Sequence, residues 1–231
     1  MIQLARTAPP NFFQNDYPLF RDLSEAELPL LADQAKLKVL DKQQYLCMQH
    51  SPSDRVFNIA SGSAVVERIS NDGRRQILAF VFPGDFVGLS NSDRFEYGIK
   101  CLTGTTAYEF KRQNLFDLSE KLPTLKANIK NIRALVLSLT FDQVYLLGQK
   151  KAHERVCFLL LHLLQRLPGA TQMHLELPMT RADIADYLGL TVETVSRSMS
   201  KLKKEGLITL PTPNAVRIVD LEAVQELADI H

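Results

Sequence analysis

The chain has 231 residues, of which 45% are hydrophobic and 23% are charged, and its formal net charge at pH 7 is +1. A chain of this length and apolar content can fold as one large domain or as two smaller ones. The near-zero net charge excludes binding of nucleic acid through overall basicity, so any such function depends on locally clustered charge.

The three cysteines are far apart, in no CxxC arrangement, and lie at Cys47, Cys101 and Cys157. This pattern predicts buried thiols in a reducing compartment rather than a disulfide framework. The N-terminus lacks the apolar core and small-residue cleavage site of a signal peptide. No run of about 18 apolar residues predicts a membrane span. We therefore expect a cytoplasmic protein with no membrane partner.

The N-terminal half predicts a β-rich domain. Residues 1–16 contain Pro and Asn and are expected to be irregular, and LSEAELPLLADQA follows as a short helix. From about 36 to 112, short apolar runs are separated by the turn sequences ASGS, SNDGRRQ and FPGD. Asp72-Gly73 is typical of a hairpin turn. Short strands at this spacing predict an all-β sandwich or barrel.

A long helical stretch is predicted from about 113 to 148. Heptad positions along it are apolar with one polar exception, and they are Ile129, Ile132, Val136, Leu139, Gln143 and Leu146. A heptad repeat favours pairing with a second helix, and the stretch exceeds the average helix of about 11–12 residues. These six residues are the predicted dimer interface. A long helix that lies on its own barrel is the alternative.

Two short helices are predicted near the C-terminus, after an apolar helix that ends before Pro168-Gly169. Thr180 and Asp183 have the spacing of a capping box at the first helix. Gly189 is expected to end that helix in the left-handed region, and Thr191 caps the second one directly afterwards. A helix, a tight turn with glycine and a second helix form a helix-turn-helix motif.

The second of these helices has two distinct faces. Val195, Met199 and Leu202 form an apolar stripe, and a polar stripe with Glu193, Ser196 and Arg197 lies opposite. Arg can donate two hydrogen bonds to guanine, Glu can accept one from cytosine N4, and Ser can bond either type. These side chains lie in the first turns, where a recognition helix contacts base edges. We predict them as the base-reading residues of a protein that binds double-stranded DNA.

Other residues in this region are suited to DNA phosphates. Four Lys or Arg and one Glu between Thr191 and Lys204 give a local net charge of +3. Exposed N–H groups at helix starts also bind phosphate, and LITLPTPNAVRIV predicts a two-stranded wing beside the helices. The predicted backbone contacts are Thr180, Arg181, Thr191, Thr194, Ser200, Lys201, Lys203 and Arg217. The alternative for the whole region is a structural helical hairpin.

Over nearly its full length the sequence resembles the superfamily of the cAMP receptor protein and FNR. LPMTRADIADYLGLTVETVSRSMSKLKKEGLI is similar to the FNR/FixK branch, whose E-x-x-S-R reading motif corresponds to Glu193, Ser196 and Arg197. The resemblance implies an α+β fold with a double-stranded β-roll. We accordingly expect a sensor domain with an N-terminal helix at 1–112, a dimerisation helix at 113–148 and a winged helix-turn-helix domain at 149–231.

The same resemblance implies a DNA site and partners. A homodimer would read an FNR-box-like palindrome, TTGAT-N4-ATCAA, with half-sites one helical turn apart. RNA polymerase is the further partner implied. The rival interpretation is a ligand-binding signalling or adaptor protein that does not read DNA. An enzyme is not expected, because a metal-dependent barrel enzyme needs clustered histidines and His50 is the only histidine before residue 113.

The effector is not identified by the sequence. The family's PGD-F-x-G turn makes Gly84, Asp85 and Gly88 candidate effector residues, and His50 leaves haem open as a cofactor. Cyclic-nucleotide binders of the family place an Arg-Ser pair where this chain has Gly98 and Ile99. Without that arginine a cyclic phosphate loses its main bidentate partner, so we expect no high-affinity cAMP binding.

FNR itself holds an iron–sulfur cluster through four cysteines, most of them near its N-terminus. This chain has no cysteine before Cys47, so we expect neither that cluster nor another metal site. Cys47 and Cys101 are predicted to be structural thiols, with a redox pair as the alternative.

Overall fold

The computed structural model of the chain describes residues 17–167 and 173–229. The expectation for residues 1–16, and the turn at Pro168-Gly169, lie outside this range. The chain divides into two compact units. One comprises the residues up to 69 together with 80–139, and the other comprises 70–79 together with the residues from 140 onward. This division differs from the three parts expected from the sequence.

Between residues 17 and 111 the structure has one short helix and eight strands, which form two four-stranded sheets. In chain order they are α1 (Glu27–Ala32), β1 (Ala35–Leu40), β2 (Tyr45–Cys47), β3 (Arg55–Ser61), β4 (Ala64–Ile69), β5 (Arg75–Val81), β6 (Phe86–Val87), β7 (Gly98–Cys101) and β8 (Thr105–Lys111). The sheet orders are β1-β8-β3-β6 and β2-β7-β4-β5. The turn predicted at Asp72-Gly73 joins β4 to β5, where Gly73 has a φ of +82°.

Strand β3 shows why these segments form a β-roll. Side chains alternate between the two faces of a strand, and both faces of β3 are buried. Phe57 and Ile59 belong to the core between the two sheets, with Phe95 and Ile99. Val56 belongs instead to a second core, in which the outer face of the β1-β8-β3-β6 sheet packs against helices.

The long helical stretch is two helices, α2 (Arg112–Lys121) and α3 (Pro123–Gln149). Leu122 between them has φ −120° and ψ 96°. Proline forces the preceding residue into this extended region, and it is well suited to the first turn of the helix that follows. Pro123 therefore causes the break that the heptad pattern did not predict.

The predicted dimer interface on α3 needs correction. Ile129 and Ile132 are buried in the core formed with α1 and the adjoining sheet, and Leu146 is buried as well. Gln143 is half-buried, and its Nε2 donates to the Tyr187 carbonyl at 2.8 Å. A heptad stripe specifies an apolar face but not which surface covers it. Of the six predicted residues, Val136 is exposed and Leu139 is half-buried. The exposed large apolar side chains of α3 are Leu135, Val136, Leu137, Phe141, Val144 and Tyr145.

The C-terminal part is a helical bundle with a small sheet. Its elements are α4 (Ala152–Arg166), β9 (His174–Glu176), α5 (Arg181–Leu188), α6 (Val192–Lys204), β10 (Ile208–Thr209), β11 (Ala215–Ile218) and α7 (Leu221–Ala228). The sheet order is β10-β11-β9, so the predicted two-stranded wing gains a third strand. Helix α7, which packs on α4, has no counterpart among the predicted elements. The β-roll and the winged helix pair confirm the predicted α+β fold.

Among the described residues, none of the helices is both long and apolar enough to cross a bilayer.

Substitution of Gly62 tests the close packing of the β-roll. Gly62 and Gly73 both have a φ of +82°, but an added Cβ would lie 2.2 Å from the Gly104 carbonyl oxygen at Gly62 and would meet nothing within 4 Å at Gly73. The left-handed backbone costs an alanine about 1–2 kcal/mol at either position, and overpacking adds about 1–3 kcal/mol at Gly62 alone. We expect urea denaturation to show a larger loss of unfolding free energy for Gly62→Ala than for Gly73→Ala. Equal losses would contradict the clash.

Candidate nucleic-acid interface

Helix α5 begins and ends as its sequence predicts. The Asp183 N–H donates to Thr180 Oγ1 at 3.1 Å, and the Thr180 N–H donates to Asp183 Oδ2 at 2.8 Å, which completes the capping box. Gly189 ends the helix with φ +62° and ψ +41°. Thr191 Oγ1 then accepts from the Thr194 N–H at 3.2 Å at the start of α6. The result is the predicted helix, tight turn and second helix.

Helix α6 has one buried face and one exposed face. Val195, Met199 and Leu202 are almost completely buried, as predicted. The side chains of Glu193, Ser196, Arg197 and Ser200 are exposed on the opposite side. Because residues three and four apart share one face of a helix, the predicted reading residues form a continuous polar surface.

A short hydrogen-bond chain orders the first turn of α6. Arg197 Nη2 donates to Thr194 Oγ1 at 3.2 Å, and that hydroxyl lies 3.1 Å from Thr191 Oγ1. The pKa of Glu193 lies below its ordinary value, because its carboxylate accepts hydrogen bonds from its own backbone N–H and from Thr191 and lies near Arg197. A slight loss of hydration opposes this shift. At neutral pH Glu193 is therefore a carboxylate that only accepts hydrogen bonds.

Most residues predicted to contact DNA phosphates are accessible. Lys201, Lys203 and Arg217 are exposed, and Lys201 lies 3.9 Å from Glu205. Arg181 differs, because its guanidinium is half-buried and Nη2 donates to the Pro213 carbonyl at 3.1 Å. Arg181 thus ties the first turn of α5 to the loop before β11, and its contact with phosphate stays a prediction.

Side chains from distant parts of the sequence hold α5, and they were missed by sequence reasoning. Its last carbonyls accept hydrogen bonds from Gln76, Gln143 and Arg155. Its carboxylates, Asp183 and Asp186, are paired with Arg75. Gln143, the polar exception in the heptad pattern, was the one available signal, because a polar side chain in an apolar stripe needs a partner.

The candidate effector residues Gly84, Asp85 and Gly88 lie on either side of β6 and shape the backbone there. Gly84 and Gly88 have φ values of +93° and +95°, a region that favours glycine. Asp85 Oδ2 accepts from the Phe82 N–H at 2.8 Å and closes the turn. Ile99, at the position of the family's phosphate-binding pair, is buried in the apolar core between the sheets.

His50 lies at a different place from that turn. It is exposed, and it lines a cavity of about 270 Å³ together with Tyr45, Met48, Gln49, Glu67, Ile69 and Gly98. None of these residues belongs to the turn at Gly84–Gly88. Over the described part of the chain, no group of three or more His, Cys, Asp or Glu side chains is placed to hold a metal ion.

The three cysteines are free and buried. Burial raises the pKa of the Cys47 thiol to about 12 and that of Cys157 to about 12, and it also raises the pKa of Cys101. Thiolate is the form that reacts with oxidants and binds metals. These environments therefore favour structural thiols over a redox pair.

Comparison with known families matches both parts of the chain. Residues 154–227 match the family model of the Crp-like helix-turn-helix domain. Residues 37–121 match the family model of the cyclic nucleotide-binding domain. The two matches fall on the helix-turn-helix region and on the β-roll.

Individual proteins are similar over most of their length. The chain is 36% identical over 189 residues to the transcriptional activatory protein AadR of Rhodopseudomonas palustris, covering 80% of this chain and 78% of that one. It is also 36% identical over 175 residues to the nitrogen fixation regulation protein FixK of Bradyrhizobium diazoefficiens, covering 74% and 73%. The solved structure of FixK2 from Bradyrhizobium japonicum superposes with a TM-score of 0.79 at 30% identity, covering 84% of this chain and 96% of that one.

Thiol reactivity tests the role of the cysteines. In the native protein at pH 8 we expect Ellman's reagent to modify Cys47 and Cys157 at least ~100-fold more slowly than after denaturation, because a pKa near 12 leaves little thiolate. All three thiols should react at once in guanidinium chloride. Rapid modification of Cys47 and Cys101 in the folded protein would restore the redox-pair interpretation.

Proposed function

The chain belongs to the CRP/FNR family of transcriptional regulators, and from this premise we propose that it reads the palindrome TTGAT-N4-ATCAA as a homodimer. The observation that carries the proposal is the exposed surface of Glu193, Ser196 and Arg197 on α6, whose opposite face is buried. The helix-turn-helix domain itself matches its family model. The palindrome, the dimer and the control of the protein are inferred.

The reading chemistry follows from the side chains. Arg197 donates two hydrogen bonds to O6 and N7 of the guanine in TTGAT, and Glu193 accepts one from N4 of a cytosine. The Thr194 hydroxyl already holds Arg197 in the free protein, so less side-chain freedom is lost on binding. Ser196 lies between them in sequence and supplies a hydroxyl to a neighbouring base edge.

Affinity comes from the residues around this surface. Lys201 and Lys203 on α6 and Arg217 on β11 contact phosphates without reading bases. The N–H groups at the starts of α5 and α6, next to Thr180 and Thr191, add hydrogen bonds to phosphate oxygens. Each cation that neutralises a phosphate contributes to the salt dependence of binding.

The exposed face of α3 is the proposed dimer contact. Leu137, Phe141 and Val144 have the i, i+4, i+7 spacing of an apolar helix stripe. Phe141 and Val144 are 64% and 65% exposed, and a second copy of α3 is the surface that this spacing fits. A two-fold dimer also places two α6 helices for half-sites about 34 Å apart.

Control through the β-roll is the last part of the proposal. Relatives such as AadR are described as activators, and we infer that this chain likewise activates transcription by RNA polymerase. The signal is unidentified and is not cAMP, because Gly98 and Ile99 supply no cation for a cyclic phosphate. Haem through His50 stays open as one candidate.

Two substitutions on α6 separate base reading from phosphate binding. Arg197→Ala should weaken binding to the palindrome by about 1–3 kcal/mol and relax the choice of base at one position. Lys201→Ala should instead weaken binding to all duplexes and lower the salt slope by about 1. Both are measured by fluorescence anisotropy at several salt concentrations. Identical behaviour of the two variants would contradict the assignment, and a wild-type protein that does not discriminate would favour the adaptor.

A charge on α3 tests the dimer. Phe141→Asp should convert the dimer into a monomer at micromolar concentration. The reason is that a buried, unpaired carboxylate costs roughly several kcal/mol in each of the two subunits. Val39→Asp, at a residue of β1 that is 75% exposed, is the matched control and should leave the dimer intact. Sedimentation velocity measures the mass. A dimeric Phe141→Asp variant would place the interface elsewhere.

A further inference from the structure

The last three carbonyls of α5, those of Asp186, Tyr187 and Leu188, accept hydrogen bonds from side chains of other segments. The last carbonyls of a helix have no partner within the helix. Here Gln76 Nε2 donates to the carbonyls of Asp186 at 2.5 Å and Tyr187 at 3.3 Å. Arg155 Nη1 donates to the Leu188 carbonyl at 2.8 Å. Gln143 also contacts the Tyr187 carbonyl, so three separate segments converge on one helix end.

A second group of contacts holds the acidic side of α5. Arg75 Nη1 lies 2.7 Å from Asp183 Oδ1 and 3.1 Å from Asp186 Oδ2. The side chains of Arg75 and Asp183 are only 25% and 12% exposed. Charge-assisted hydrogen bonds in such partly buried surroundings are stronger than surface ion pairs. Asp183 also accepts from the Thr180 N–H in the capping box of α5, so Arg75 pairs with a residue of that box.

We propose that Arg75 and Gln76 are positioning residues for DNA recognition, which hold α5 and thereby fix the reading helix α6 that packs on it. The inference rests on the proposed function of α6. The two residues lie more than a hundred positions before the helix-turn-helix motif, in the segment 70–79 that joins the second compact unit. Neither residue is among the predicted DNA contacts. They act through α5, whose buried Ile184 and Leu188 belong to the core of the helix pair.

The geometry separates this role from direct contact with DNA. A phosphate would have to compete with two carboxylates that already share Arg75 Nη1. Loss of Arg75 leaves Asp183 and Asp186 without that cation and leaves α5 held by fewer bonds. The expected effect is therefore on the placement of α6, which reduces recognition of the specific site more than binding to DNA in general.

Arg74 provides a matched control for this test. It is the neighbouring residue with the same charge, but it is 84% exposed and pairs with Asp72. Full-length Arg75→Ala, Gln76→Ala and Arg74→Ala are compared on a duplex with TTGAT-N4-ATCAA and on a duplex of equal length with scrambled half-sites. Anisotropy is recorded at several salt concentrations, and circular dichroism checks that each variant is folded. Hydrogen exchange of the α5 and α6 amides is measured without DNA.

The expected result is a loss of specific affinity of roughly 10-fold for Arg75→Ala, an unchanged salt slope, and faster exchange in α5 and α6. Gln76→Ala should show a smaller loss of the same kind, and Arg74→Ala should match the wild type. A lower salt slope would make Arg75 a phosphate contact and overturn the inference. So would an Arg75→Ala variant that matches Arg74→Ala in affinity and exchange. If the wild-type protein binds the palindrome and the scrambled duplex equally well, the proposed function itself is contradicted, whatever the variants show.

Discussion

Burial of one face of α6 is the constraint on which the proposed interface depends. A helix can present an acid, a hydroxyl and a guanidinium to DNA only if its other side is fixed to the protein. Val195, Met199 and Leu202 are almost fully buried, and burying such side chains contributes about 1.5–3 kcal/mol each. Rotation of α6 about its axis would expose them, so the same packing that stabilises the domain also keeps Glu193 and Arg197 on the outside.

Features that depend on neighbouring residues were predictable from the sequence. The Thr180 box, the left-handed Gly189 and the apolar stripe of α6 are set by a few adjacent side chains, and all three are found in the structure. The two sheets were also predictable, because alternating side chains and glycine turns mark short strands. The break between α2 and α3 could have been predicted from Pro123. The heptad pattern instead suggested one continuous helix, because a repeat of apolar residues carries no information about a local break in the backbone.

Features that depend on distant residues were not predictable. The heptad residues Ile129 and Ile132 pack against their own domain, because an apolar stripe is satisfied equally by a barrel or by a second helix. Arg75 reaches Asp183 across 108 positions of sequence, and no local pattern relates the two. Arg181 was predicted to contact phosphate from its type and position, and its hydrogen bond to the Pro213 carbonyl could not be read from the sequence. The partners of such polar side chains are distant in sequence and come close only in the folded chain, so local patterns do not predict them.

The support of α5 shows that the position of the helix pair depends on residues outside the helix-turn-helix segment. If the helix pair were held only by its own core, its orientation would be a fixed property of the last part of the chain. Here its first turn is capped locally by Thr180, while its acidic side and its end are held by Arg75 and Gln76. Residues 70–79 leave the first unit after Ile69 and return to it at Phe80. An equilibrium between two arrangements of a chain shifts only by the difference in their interaction energies, so any arrangement that lacks the bonds of Arg75 and Gln76 to α5 is disfavoured by what those bonds contribute.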